Sequence, residues 1–152
     1  MIFDRTQNDV DTAIILRATK VQNFAVLTEQ ELLALEKGTL TINTLNRIEQ
    51  KQAELKGLFN SMIYFAKDFE SKEWTVEQFF TQADFERILQ NNKLLKDAFF
   101  VYKNTPQNEG KNFLKFETIN NVEAVLHHLD LMIGDIESKY RFCGETICGG
   151  DN

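Results

Sequence analysis

A chain of 152 residues, 43% apolar with 13 Phe, is long enough to bury a core without disulfide or metal support. Its net charge of −6 and lack of any basic run argue against nucleic acid or an anionic membrane surface as partner. No apolar stretch approaches the roughly 20 residues that cross a bilayer, and Met1–Val10, with Asp4 and Asp9, lacks the apolar centre of a secretory signal. The expectation is a protein made and kept in a cytoplasm, or released by a route other than secretion.

One Pro, few Gly before the last residues, and many Leu, Glu, Lys, Gln and Asn favour helix. Thr6-Gln7-Asn8-Asp9-Val10 reads as a helix start, with the Thr6 hydroxyl as N-cap and Asp9 in the positive first turn. A helix from Gln7 to about Thr19 follows. Thr28-Glu29-Gln30-Glu31 is a capping box that opens a short helix to about Lys37, with Gly38 expected to stop it.

Leu45, Ile48, Gln52, Leu55, Phe59, Met62 and Ala66 alternate spacings of three and four, the mark of a long helix with one buried stripe. Phe65 and Phe69 extend the pattern, so the helix is expected to run to about Phe69. Thr81-Gln82-Ala83-Asp84-Phe85 repeats the first helix start and opens a helix from Gln82 to about Phe99, with Phe85, Ile88, Leu89 and Leu95 inward. A loop containing Pro106 and Gly110 spans Asn104 to Glu117. A second long stripe then runs through Ile119, Val122, Leu126, Leu129, Ile133, Ile136 and Tyr140.

Two of these motifs recur in order. Thr6 and Asp9 match Thr81 and Asp84 at an offset of 75, while Leu45-Asn46-Arg47-Ile48-Glu49 matches Ile119-Asn120-Asn121-Val122-Glu123 at 74. The reading is a mainly α single domain over 1–152, a helical bundle of two tandem helix-loop-helix repeats. They cover about 4–70 and 79–140, and a short β-hairpin over about 140–150 follows. The two long helices are expected to pack on each other as a spine at a shallow angle.

Chemistry-bearing residues are sparse. Cys143 and Cys148 have four residues between them and no second cysteine pair, and His127 and His128 point about 100° apart on a helix, so zinc is not expected. Asn46, Glu49, Asn120 and Glu123 lack the Glu-x-x-His pattern of di-metal bundles. They are read as structural: each Asn bonding backbone of a neighbouring turn or of the other copy, each Glu near a helix start favouring the dipole. No phosphate loop, nucleophile elbow or H-E-x-x-H occurs. No catalytic residue, cofactor or metal is assigned, and the chain is read as not an enzyme. The aromatic residues divide between core and interface. Trp74, Phe79, Phe80, Tyr102, Phe113, Phe142 and, with them, Ile147 are the candidate interface positions.

Asp4-Arg5-Thr6-Gln7 with Asp9-Val10, then Leu45-Asn46-Arg47-Ile48-Glu49, Trp74, Asp84 with Arg87-Ile88-Leu89 and Asn91 or Asn92, Thr105-Pro106, Asn120 to Glu123, and a final aromatic-Cys-Gly-Glu turn carry a likeness over nearly the whole chain. In these residues it resembles small proteins encoded in the tail regions of Firmicutes prophages, whose members often have Ser where Cys143 stands. The resemblance implies a structural component of a tail, baseplate or tail-fibre assembly, or of a related contractile particle. Its partners would be other tail, baseplate or fibre proteins, with a homo-oligomer or attachment to a symmetric ring expected. Such a protein would be made in the host bacterial cytoplasm and end in the virion or tail-like particle. The alternatives are a small acidic regulator or assembly chaperone, whose binding weakens with salt, and a helical enzyme with a site between the long helices.

Overall fold

The computed structural model describes residues 1–62, 67–98, 101–106 and 115–139. These form five α-helices in the order α1 (Gln7–Leu16), α2 (Glu29–Gly38), α3 (Ile42–Ser61), α4 (Gln82–Ala98) and α5 (Phe116–Lys139), with no strand among them. α1 runs on into a π-helical turn over Arg17–Val21. The hairpin expected over 140–150, including Phe142 and Ile147, lies outside the described residues, as does Phe113.

The helix starts follow the local chemistry. Thr6 donates its N–H to Asp9 Oδ2 at 2.7 Å and accepts from Asp9 N at 3.3 Å; Thr81 and Asp84 do the same at 3.1 and 3.3 Å. Thr28 and Glu31 close the equivalent box on α2. The Thr6 hydroxyl and N–H hold the Asp9 carboxyl below the usual aspartate range. Burial pushes Asp84 the other way, but its bonds from Thr81 and Lys72 outweigh that and its carboxyl is also lowered.

α3, α4 and α5 pack on one another, with α3 and α5 as the central pair. Both stripes are buried along their middle, Met62 and Ile136 towards the ends are half-buried, and Ala66 and Tyr140 lie outside the described residues. Leu55, Phe59, Val122, Leu126 and Leu129 are each 0% exposed, with Ile48, Phe85, Ile88 and Leu95 beside them. Gln52 stands in the middle of the α3 stripe, also fully buried. Its amide donates to Ile88 O at 2.9 Å and Asn92 Oδ1 at 2.6 Å, and its Oε1 accepts from Asn91 at 3.2 Å. Asn92 in turn donates to Val122 O on α5 at 3.1 Å. One polar chain thus ties three helices at their centre, and its register is fixed by hydrogen bonds that no sliding of the helices would preserve.

One expectation about helix ends is corrected. α3 stops at Ser61 instead of continuing to Phe69, and residues 67–75 have no regular secondary structure. Phe69 is buried all the same, under Lys56, whose Nζ bonds Phe69 O at 2.9 Å. α2 ends at Gly38, as expected, and Thr39 leaves in extended conformation. What requires glycine is space, because a Cβ there would collide with the Asp9 carbonyl and the Ala13 side chain of α1. Gly38→Ala is therefore expected to cost about 1–3 kcal/mol by overpacking and to splay α2 from α1. Urea denaturation with far-UV circular dichroism measures both.

α1 and α2 pack chiefly on each other and form a two-helix arm. Only Ala13 and Leu16 of α1 are buried, and no residue of α2 is. At the arm's tip Phe24 holds φ of 54°, a left-handed conformation unusual for a bulky residue, with its ring 96% exposed.

Candidate functional site

The repeated Asn-x-x-Glu motifs on α3 and α5 form two matching grips on extended backbone. Asn46 Oδ1 accepts from Trp74 N at 2.7 Å, and its Nδ2 donates to Trp74 O at 3.0 Å. Asn120 holds Arg5 in the same way, at 3.2 and 2.8 Å. Each side-chain amide takes both polar groups of one residue, as a paired residue in an antiparallel sheet does. One helical turn on, the carboxylate takes a second N–H of the same segment: Glu49 from Lys72 at 3.1 Å, Glu123 from Ile2 at 3.4 Å.

One grip spans the whole chain and the other is more local, holding residues between the two repeats. α5 holds the segment that leads into α1, and α3 holds the segment that leads towards α4.

Glu49 and Glu123 are not where a dipole role would put them. α3 and α5 begin at Ile42 and Phe116, so each Glu is two turns in, and both are buried at 1% and 0% exposure. A buried charge needs opposite charge and hydrogen bonds, and both have them. Glu49 accepts from both terminal nitrogens of Arg87 and from Trp74 Nε1 at 3.2 Å. Those bonds hold the Arg87 guanidinium firmly protonated. Glu123 accepts from Arg5 Nη1 and from Arg47 Nε at 2.9 Å, while Arg47 also pairs with Glu36 of α2 at 2.7 Å. The Nη2 atoms of Arg5 and Arg47 are buried and have no acceptor among the described residues.

Sequence reasoning missed Arg5, Arg47, Arg87, Gln52 and Asn91–Asn92 as members of these networks. The available signal was Gln52 and the two glutamates themselves, polar residues set in or beside an apolar stripe.

Of the candidate interface residues, Trp74 is corrected. It is 3% exposed, with its ring 5.3 Å from Phe80 at an edge-on 73° and Lys72 Nζ 4.0 Å above it. Phe80 and Tyr102 are half-buried, and Tyr102 donates to Asp135 at 2.6 Å. Phe79 is open to solvent at 90%, next to the exposed Val76. The larger apolar surface lies on the arm, where Ile14, Ile15, Leu32 and Leu33 are more than half exposed around the Phe24 tip.

His127 stacks on Phe3, and His128 Nδ1 meets Thr105 Oγ1 at 3.0 Å. Burial and then the charge of His127 lower the basicity of His128. Among the described residues no three His, Cys, Asp or Glu side chains are grouped to hold a metal ion, and no helix is long and apolar enough to cross a membrane.

The Asn grips are testable as such. Asn120→Ala removes two part-buried backbone bonds and is expected to cost about 1–3 kcal/mol. Asn120→Asp is expected to restore little, because a carboxylate has no donor for Arg5 O. Equilibrium unfolding of the two variants against wild type decides it.

Comparison of the chain with protein-family models, with curated proteins and with solved structures found no match.

Proposed function

We propose that this protein is a structural adaptor of a bacteriophage tail, baseplate or tail-fibre assembly, or of a related contractile particle, acting by protein–protein contact and not by catalysis. In this reading the chain is a duplicated helix-loop-helix unit, made in the host cytoplasm and carried into the particle. The tail resemblance supplies the assembly. One structural observation supports the mode of action: the buried polar groups described above hold the chain's own segments together, while large apolar side chains face solvent on the arm. Leu55 and Leu129, at the centre of the paired long helices, are sealed from water. The hairpin proposed for 140–150, with Phe142 and Ile147, would add a second contact.

The test is mass spectrometry of purified tail particles. The adaptor reading expects this chain at a fixed ratio to the other tail proteins, and release only under conditions that dismantle the particle. Its absence from particles would end the reading. Recovery with unassembled subunits alone, in complexes that weaken with salt, would replace it with the assembly-chaperone reading that the net charge of −6 favours.

A further inference from the structure

Where the start of α1, the end of α2 and the start of α5 converge, the fold leaves a cavity of about 150 Å³. Its wall is apolar at Val10, Leu40, Phe116 and Ile119 and cationic at Arg5 and Lys115, and among the described residues no carboxylate lines it. A space of this volume between apolar side chains takes a benzene ring. Three features of the same wall favour negative charge. The side chain of Arg5 is only 3% exposed. Its Nη1 meets Glu123, Asn120 and Ile2 O, whereas its Nη2 is buried with no acceptor among the described residues. A buried donor left in that state marks a missing acceptor. Lys115 is exposed and brings a second cation to the wall. Phe116 is the first residue of α5, so the positive end of a 24-residue helix lies there too.

We infer that this cavity binds a small monocarboxylate whose apolar body is no larger than a phenyl ring. The carboxylate is drawn by Arg5, Lys115 and the start of α5, and the body lies against Val10, Leu40, Phe116 and Ile119. This division follows the usual form of a small-molecule site, an apolar wall with a few polar groups that fix orientation. An inorganic anion leaves the apolar wall uncovered, and an uncharged molecule leaves the cations unanswered. The site stands apart from the adaptor reading and adds a small ligand to it. Val10 belongs to α1, Leu40 follows α2 and Ile119 belongs to α5, so an occupant touches both the arm and the bundle. Binding to the folded chain alone then raises its stability with ligand concentration.

The experiment titrates the full, isotope-labelled chain with benzoate and follows its backbone N–H resonances. Saturating shifts are expected at Val10, Leu40 and Ile119, with a Kd of about 1 mM or tighter. Benzyl alcohol carries the ring without the charge and is expected to bind about tenfold more weakly. Inorganic phosphate carries the charge without the ring and is expected to be weaker by a similar factor of about ten. Arg5 is needed by Glu123, so the variant is Lys115→Gln, at an exposed position. It should leave the urea midpoint unchanged and weaken benzoate about threefold. Four results overturn the inference. Benzoate gives no saturable shift by about 20 mM, well above the expected Kd. Benzyl alcohol binds as tightly, which makes the cavity a plain apolar hole. Phosphate matches benzoate, which leaves an adventitious anion contact at the start of α5. Lys115→Gln binds benzoate as wild type does. None of them bears on whether the chain is found in tail particles.

Discussion

Glu123→Ala is expected to destabilise the fold by about 3–5 kcal/mol, the usual cost of removing one partner of a buried ion pair. Glu123 is fully buried and the side chain of Arg5 is 3% exposed, so deletion leaves a guanidinium without its counter-charge in the interior. Arg47 loses one of its two carboxylates, and Ile2 N loses its acceptor. The Nη2 atoms of both arginines already lack an acceptor, so the cluster has no spare partner to absorb the change. The result to look for is a lower urea midpoint, with early loss of protection at the backbone N–H groups of Ile2 and Arg5 in hydrogen exchange. Adding Arg5→Met to Glu123→Ala should recover part of the loss, because it removes the stranded charge. A double variant as unstable as the two single losses combined would show that the two side chains do not act as a pair.

Trp74→Ala is expected to cost about 3–5 kcal/mol, the range for truncating a buried aromatic side chain. The indole fills space against Phe80, lies under Lys72 and donates Nε1–H to Glu49. Trp74→Phe separates these contributions. It keeps most of the volume and loses the hydrogen bond, so it should fall well short of the alanine cost while leaving Glu49 one donor poorer. Tryptophan fluorescence adds a direct reading, since Trp74 is the one Trp of the chain and its emission should shift red only when this segment leaves α3. A fully exposed emission maximum in the folded wild type would remove the basis for the prediction.

The helix starts were legible because cap chemistry is local: Thr6 and Asp9, Thr28 and Glu31, and Thr81 and Asp84 each complete their bonds within three residues. The buried stripes were legible because spacings of three and four fix one helical face whatever lies opposite. What failed was everything whose partner is remote. Glu49 and Glu123 look like surface or dipole residues until Arg87 and Arg5 arrive from 38 and 118 positions away. Phe69 kept the helical spacing and is buried, but it gets there in extended chain, and apolar character does not distinguish the two. Gly38 announced a helix end by its type, whereas its real constraint is the backbone of α1 pressed against it. Trp74 looks like an interface residue by its type, but the core takes it.

The hold of Asn120 and Glu123 on Arg5 and Ile2 also orders events in time. A ribosome adds Arg5 more than a hundred residues before the side chains that receive it exist, the separations being 115 and 118. Until α5 emerges, that guanidinium has water as its only stable companion, and the entropy of closing so long a loop has still to be met. The helices with cap boxes can flicker into being early, but commitment waits for nearly the whole chain. The protein should then mature in one late step, after α5 is made.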